Sequence, residues 1–191
     1  MHELILGGQK SGKSRRAESL AQQWLQQSPS HQALLLATAQ AHDAQMQQRI
    51  DRHRAQRQQS VPGLQTLEEP LALADAIARH SNPQTLLVVD CLTLWLTNWL
   101  MPAQPLGSDG EGDNADAFAR QQQQLLDALA QARGEVVLVS NEIGWGVIPL
   151  GEAVRDFVDQ LGSLNQQIAQ ACSRVTLMAA GLPLVLKDDT P

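Results

Sequence analysis

Gly7-Gly8-Gln9-Lys10-Ser11-Gly12-Lys13-Ser14 spells G-x-x-x-x-G-K-[ST], the spacing of a phosphate-binding loop. Glycines at 7, 8 and 12 free the backbone to turn successive N–H groups onto phosphate oxygens at the start of a helix. Lys13 adds a point charge for the β- and γ-phosphates. The Ser14 hydroxyl is placed to ligate the Mg²⁺ that bridges them. A second chemistry-bearing stretch centres on His53, with Arg49 and Arg57 one helical turn away on either side and Arg52 and Arg54 adjoining it. Such a cationic stripe suits an anionic phosphate chain. Neighbouring cations also disfavour imidazolium, which leaves a neutral ring nitrogen as a nucleophile. Spacing by itself favours the plainer alternative, a surface histidine on a solvated basic helix. The third candidate is Asp90, the polar end of Thr85-Leu86-Leu87-Val88-Val89-Asp90. Beside a phosphate loop it reads as the metal-side carboxylate of a nucleotide pocket; without one it would be a strand-end cap.

These groups need elements to position them. An apolar strand over 3–6 enters the loop, and a helix over 15–25, with Ala17, Leu20, Ala21, Trp24 and Leu25 at helical spacing, leaves it. Residues 33–37 read as a buried strand ending at Thr38-Ala39. Residues 43–57 read as a helix so polar, with Met46 and Ile50 its chief apolar positions, that it is no ordinary core element. A short extended piece over 64–68 precedes Pro70, which fits the first turn of a helix running to His80. The run 85–90 is a central parallel strand covered on both faces. A Trp-bearing helix over 91–101 follows, then a Pro/Gly/acidic stretch over 102–114 read as mobile surface. A helix over 115–133 and a buried strand over 135–140 come next, with Asn141-Glu142 at the strand's carboxyl end. After a loop at 144–149, Val154, Phe157, Val158, Leu161, Leu164 and Ile168 form one apolar helical stripe, read as core. Strands over 174–179 and 183–187, turned at Gly181, close the chain as a hairpin.

Alternating strands and helices predict one α/β domain over residues 1–191, three layers deep, with a largely parallel sheet and a C-terminal strand pair. In such sheets ligands bind outside the carboxyl ends of the strands, which selects Gly7 to Ser14, Thr38, Asp90 and Ser140-Asn141-Glu142. A net charge of −6 argues against a broad nucleic-acid or anionic-membrane surface. Cys91 and Cys172 stand in no metal-ligand spacing, and a reducing cytoplasm suits them. With no leader pattern and no run long enough to span a bilayer, the expectation is a soluble cytoplasmic protein with no membrane insertion and no nucleic-acid partner. The stretch 102–114 and Trp95, Trp99 and Trp145 could touch a bulky substrate, but buried or interface tryptophan is the favoured reading, and no role is assigned to them.

Taken in order, several segments resemble one family. They are Gly7 through Arg15, Ala37-Thr38-Ala39, Met46-x-x-Arg49-Ile50-x-x-His53-Arg54-x-x-Arg57, Thr66-x-Glu68, Val89-Asp90-Cys91-Leu92-Thr93, Thr97-Asn98 and Val137 through Gly144, followed by Gly146, Ile148 and Pro149. With Arg155, Phe157, Asp159, Gly162 and Asn165 they cover almost the whole chain. The family is that of the bifunctional cobinamide kinases/cobinamide-phosphate guanylyltransferases. The resemblance implies a RecA-like P-loop domain, a homotrimer with the His-bearing helix near a subunit boundary, and two reactions in cobalamin assembly. In the first, a nucleoside triphosphate, ATP or GTP, phosphorylates the alcohol of adenosylcobinamide. In the second, GTP guanylylates the resulting phosphate through a guanylyl-histidine, here His53.

It also implies nucleotide contacts at Gly7, Gly8, Gln9, Lys10, Ser11, Gly12, Lys13, Ser14, Ala37, Thr38, Ala39, Arg54, Ala55, Gln56, Arg57, Glu68 and Asp90, with Mg²⁺ at Ser14 and Asp90. The chain departs from the family in having Arg57-Gln58 and Leu64 where Arg-Pro and then Trp are usual, and Asp90 where some relatives have Glu. Two other readings compete: a monofunctional small-molecule kinase with a structural His53, and a GTP-dependent switch. The second is disfavoured because the chain lacks an Asn-Lys-x-Asp guanine motif.

Overall fold

The computed structural model describes residues 1–41, 44–102 and 114–189. Continuous apolar runs become the strands: β1 (His2–Gly7), β2 (Gln32–Ala37), β3 (Leu64–Glu68), β4 (Thr85–Asp90), β5 (Val136–Val139), β6 (Arg174–Ala179) and β7 (Leu182–Asp188). They form one seven-stranded sheet in the order β3-β2-β4-β5-β1-β6-β7. Every pairing is parallel except that of β7 with β6. The helices are α1 (Lys13–Gln27), α2 (Ala44–Ser60), α3 (Leu73–His80), α4 (Leu92–Leu100), α5 (Asn114–Gln131) and α6 (Glu152–Ala171). No helix among the described residues is long and apolar enough to cross a membrane.

A parallel strand buried on both faces alternates its side chains between two cores, and β4 does so. Leu87 and Val89 join Leu73, Ile77, Trp95, Phe118, Leu125, Leu161 and Ile168, the apolar stripes of α3 to α6. Leu86 and Val88 join Ala17 and Ala21 of α1 on the opposite face, with Ile5, Leu35, Val137 and Val139. The layers are therefore α/β/α. Helix α1 buries Ala17 and Ala21 in this second core and packs the half-buried Leu20, Trp24 and Leu25 against it.

Several boundaries differ from the expected ones. Helix α3 starts at Leu73 rather than at Pro70, because Glu69 Oε1 accepts the N–H groups of Leu71 and Ala72 (3.1 and 2.7 Å) and ties them into a turn. The first residue of the predicted α6 stripe, Val154, is 50% exposed; the stripe is core only from Leu161 onward, with Phe157 partly buried. Trp95 is fully buried, tilted against Phe118, and its indole N–H donates to Leu71 O (2.8 Å). Trp145, by contrast, is 76% exposed. The expectation of a mobile loop at 102–114 falls largely outside the described residues.

Candidate active site

Register brings the strand ends level. Ile5 of β1 and Asp90 of β4 both stand opposite Val139 of β5, so the residues just beyond them, the phosphate loop, Cys91 and Ser140-Asn141, emerge along one edge. The loop's glycines are there for steric reasons. At Gly7 (φ 151°) a Cβ would stand 2.5 Å from Met178 O and 2.6 Å from Ser11 Oγ. At Gly12 (φ 104°), the residue before α1, it would stand 3.2 Å from Gly181 Cα. Gly181 N–H donates to Ser11 O (2.9 Å), so the β6–β7 hairpin braces the loop from the side.

Lys13 is only 8% exposed, and its ammonium donates to Gly7 O (2.9 Å) and Gly8 O (2.8 Å). An ammonium has three donors, so one remains for a phosphate oxygen. Burial lowers its pKa, and the neighbouring Cys91 and Asp90 partly offset this. Asp90 is held through its own backbone: its carbonyl accepts Thr38 N–H (3.1 Å). The Thr38 hydroxyl closes on the next residue, donating to Cys91 O (2.7 Å) and accepting Cys91 N–H (2.8 Å). Asn98 then donates to Thr38 O (2.8 Å) and Pro70 O (3.0 Å) from a nearly buried position.

A cavity of about 950 Å³ opens over this edge. Its walls include Gln9 to Ser14, Ala37, Ala39, Ile50, Arg54, Arg57, Glu68 and Asp90, which brings most of the sequence-selected residues into one space. Gly7 and Gly8 do not line it and offer their carbonyls to Lys13. Thr38 is fully buried and braces Asp90 instead of lining the cavity. On α2, Arg54 pairs with Glu68 of β3 (2.5 Å), both partly exposed, and Ala55 is exposed. The backbone of His53 lies on α2 between Ile50 and Arg54, while the side chains of Arg49, His53 and Gln56 lie outside the described residues.

Two titratable lining residues, Glu18 and Cys91, carry no site role in the sequence reading. Glu18, one turn beyond Ser14 on α1, faces the cavity; burial raises its pKa, Arg57 opposes that, and Asp90 adds to it. The helical i, i+4 spacing from Ser14 is the signal that would have found it. Cys91 also lines the cavity, but burial and Asp90 push its thiol up to about 11, too high for a thiolate nucleophile at neutral pH.

A phosphate loop leading from a central parallel strand into a helix, with an acidic strand end separated from it by one inserted strand, defines a P-loop nucleotide-binding protein of the RecA-like arrangement. The fold is similar to that of the flagellar accessory protein FlaH of Methanocaldococcus jannaschii. The TM-score is 0.51 at 12% identity, covering 98% of this chain and 78% of that one, a likeness of fold only. Residues 3–186 match the family described as cobinamide kinase / cobinamide phosphate guanyltransferase, and the chain belongs to that family. It is 46% identical, over 99% of both chains, to the bifunctional adenosylcobalamin biosynthesis protein CobP of Pseudomonas aeruginosa. To the bifunctional adenosylcobalamin biosynthesis protein CobU of Escherichia coli it is 35% identical, over 96% of this chain and 98% of the relative.

Proposed function

We propose that this chain carries out both reactions of its family, phosphorylation of adenosylcobinamide and guanylylation of the phosphate formed, around the one phosphate loop. The observation that carries the reading is the 950 Å³ cavity, which has Lys13, Ser14 and Asp90 at the loop and Arg54, Arg57 and Glu68 toward α2, the helix that bears His53. In the first reaction the substrate hydroxyl oxygen attacks the γ-phosphorus and the nucleoside diphosphate leaves. The loop N–H groups and Lys13 take up the charge on the outer phosphates. In the second, a ring nitrogen of His53 attacks the α-phosphorus of GTP and diphosphate leaves. The cobinamide phosphate oxygen then attacks the same phosphorus and the P–N bond breaks. Arg54 and Arg57 are suited to neutralise the phosphates during both displacements.

The donor set at the loop fits Mg²⁺. Among the described residues no group of three or more His, Cys, Asp or Glu gathers for a metal, whereas Mg²⁺ is commonly held by one or two protein oxygens together with substrate phosphates and water. Ser14 and Asp90 would hold it, and its chemistry there is charge neutralisation on the phosphates. The reading includes ATP and GTP as nucleotides, Ala37 and Ala39 as further contacts, a single domain, a homotrimer and a cytoplasmic location, in keeping with two buried free cysteines.

The test uses GTP labelled at the α-phosphate. Incubation with Mg²⁺ should leave an acid-labile, alkali-stable adduct on the protein, and His53→Ala should abolish it. Persistence of label in that variant would mean that the nucleophile is another residue.

A further inference from the structure

A second cavity, of about 570 Å³, lies against the phosphate loop and has no place in the nucleotide chemistry described above. Gly8 to Ser11 form one wall and Glu142, Ile143, Trp145 and Gly146 another. Gln9, Lys10 and Ser11 border both cavities, so the two spaces meet across the part of the loop that faces the outer phosphates. On that shared wall the hydroxyl of Ser11 is buried and has no hydrogen-bond partner among the described residues.

The walls differ in character. Several arginines face the nucleotide space, whereas the second cavity presents Ile143, Trp145, Leu177 and Met178 with one carboxylate, Glu142. Its rim continues outward through Val147, Ile148 and Leu150, which are 96, 76 and 98% exposed. Polar anchors hold this apolar rim in place. Asn165 donates to Asn141 O (3.0 Å), Asn141 N–H to Thr93 Oγ1 (2.9 Å), Glu142 N–H to Gly7 O (3.2 Å), and Arg155 to the carbonyls of Pro149 and Leu150. An anchored, exposed apolar surface beside a polar catalytic loop is the form of a ligand site.

We infer that this second cavity is the acceptor subsite: the corrinoid ring lies on the rim at Trp145, and its alcohol arm enters beside Glu142 to meet the γ-phosphate across Gln9 to Ser11. The inference rests on the proposed phosphoryl transfer, which requires a bulky second substrate to reach the loop from a side the nucleotide does not fill. An indole face offers a large rigid surface to a flat conjugated macrocycle. Glu142, fixed to the loop through its own backbone, accepts the hydroxyl proton as the oxygen bonds to the γ-phosphorus. The bond from that phosphorus to the β,γ-bridging oxygen breaks, the nucleoside diphosphate departs, and the proton passes from Glu142 to solvent.

The experiment uses the full chain, cobinamide and ATP or GTP. In Trp145→Ala the KM for cobinamide should rise about tenfold while the KM for nucleotide holds, and Trp145→Phe should restore it to within about threefold. Glu142→Gln should lower kcat of phosphorylation about a hundredfold or more. Labelling by α-labelled GTP should persist in Trp145→Ala. Its absence from the unsubstituted protein as well would defeat the guanylyl-histidine reading and leave the subsite standing on the KM result. An unchanged KM for cobinamide in Trp145→Ala would overturn the subsite. So would a fall in the sedimenting mass of that variant with KM preserved, because the loop would then be a contact between copies of the chain.

Discussion

The two ends of the nucleotide cavity are built by different means. At the phosphate loop the strand ends are interlocked: Thr38 grips Cys91, Asn98 grips Thr38, and the Lys13 ammonium is held by loop carbonyls. At the other end α2 has no buried residue among its described side chains. It is tied down by the exposed Arg54–Glu68 pair, by Ile50, and by the Val61 N–H donating to Arg57 O just past its end. A rigid frame suits γ-phosphoryl transfer, where positioning supplies most of the rate. A helix whose described side chains lie half-buried or exposed suits a nucleophile that must approach the α-phosphorus and then present its adduct to a second substrate.

Perturbing the frame should damage both reactions, and perturbing α2 only one. The largest effect is expected for Lys13→Ala, which should lower phosphorylation of cobinamide by about a hundredfold to a thousandfold in a steady-state assay. Normal turnover in that variant would detach the kinase reaction from the loop. Next, Asn98→Ala removes the side-chain donor from one buried and one half-buried carbonyl, those of Thr38 and Pro70, and should reduce unfolding free energy by about 1–3 kcal/mol in denaturant titration. A parallel loss of both activities would show that Thr38 and Asp90 depend on it.

The third effect is smaller in stability and sharper in function. A double-mutant cycle on Arg54 and Glu68 should give a coupling below about 1 kcal/mol for this exposed pair. The single variants should nonetheless slow protein labelling by α-labelled GTP more than they slow phosphorylation. Equal slowing of the two would erase the distinction between the ends. The smallest effect concerns Glu18, whose pKa is raised in the folded chain by burial. A carboxyl with a raised folded pKa favours folding while protonated and loses that advantage as pH rises through its folded pKa. Glu18→Gln should therefore raise the melting temperature at pH 7, and the gain should vanish below the ordinary glutamate range. A gain independent of pH would point to packing instead.

Much of this frame is legible in the sequence. Strands β1, β2, β4 and β5 are uninterrupted apolar runs with chemistry at their carboxyl ends, and the phosphate loop follows directly from glycine spacing. Thr38 marks where local reading stops. The triplet Ala37-Thr38-Ala39 looks uniform, yet the two alanines line the cavity while the threonine is bound to a residue 53 positions away, a partner no short window contains. Trp145 shows the opposite limit, because of its two expected positions, buried or at an interface, the fold removes the first: it is 76% exposed. Asn165 and Arg155 fasten the two ends of its loop, at Asn141 and at Pro149-Leu150, across a sequence distance that no short window spans. Strand order was likewise out of reach, because the same apolar runs are compatible with β4 beside β1 and with β5 between them.

That insertion bears on how the protein is made. The strand carrying the phosphate loop is made well before either of its neighbours: β1 pairs with residues 136–139 on one side and 174–178 on the other. Closing loops of that length makes such contacts slow relative to local ones, whereas the β2–β3–β4 half can assemble from nearby segments. The nascent chain thus carries its nucleotide loop without sheet neighbours until β5 and β6 have been made, and the pocket comes into being only as those strands close on β1.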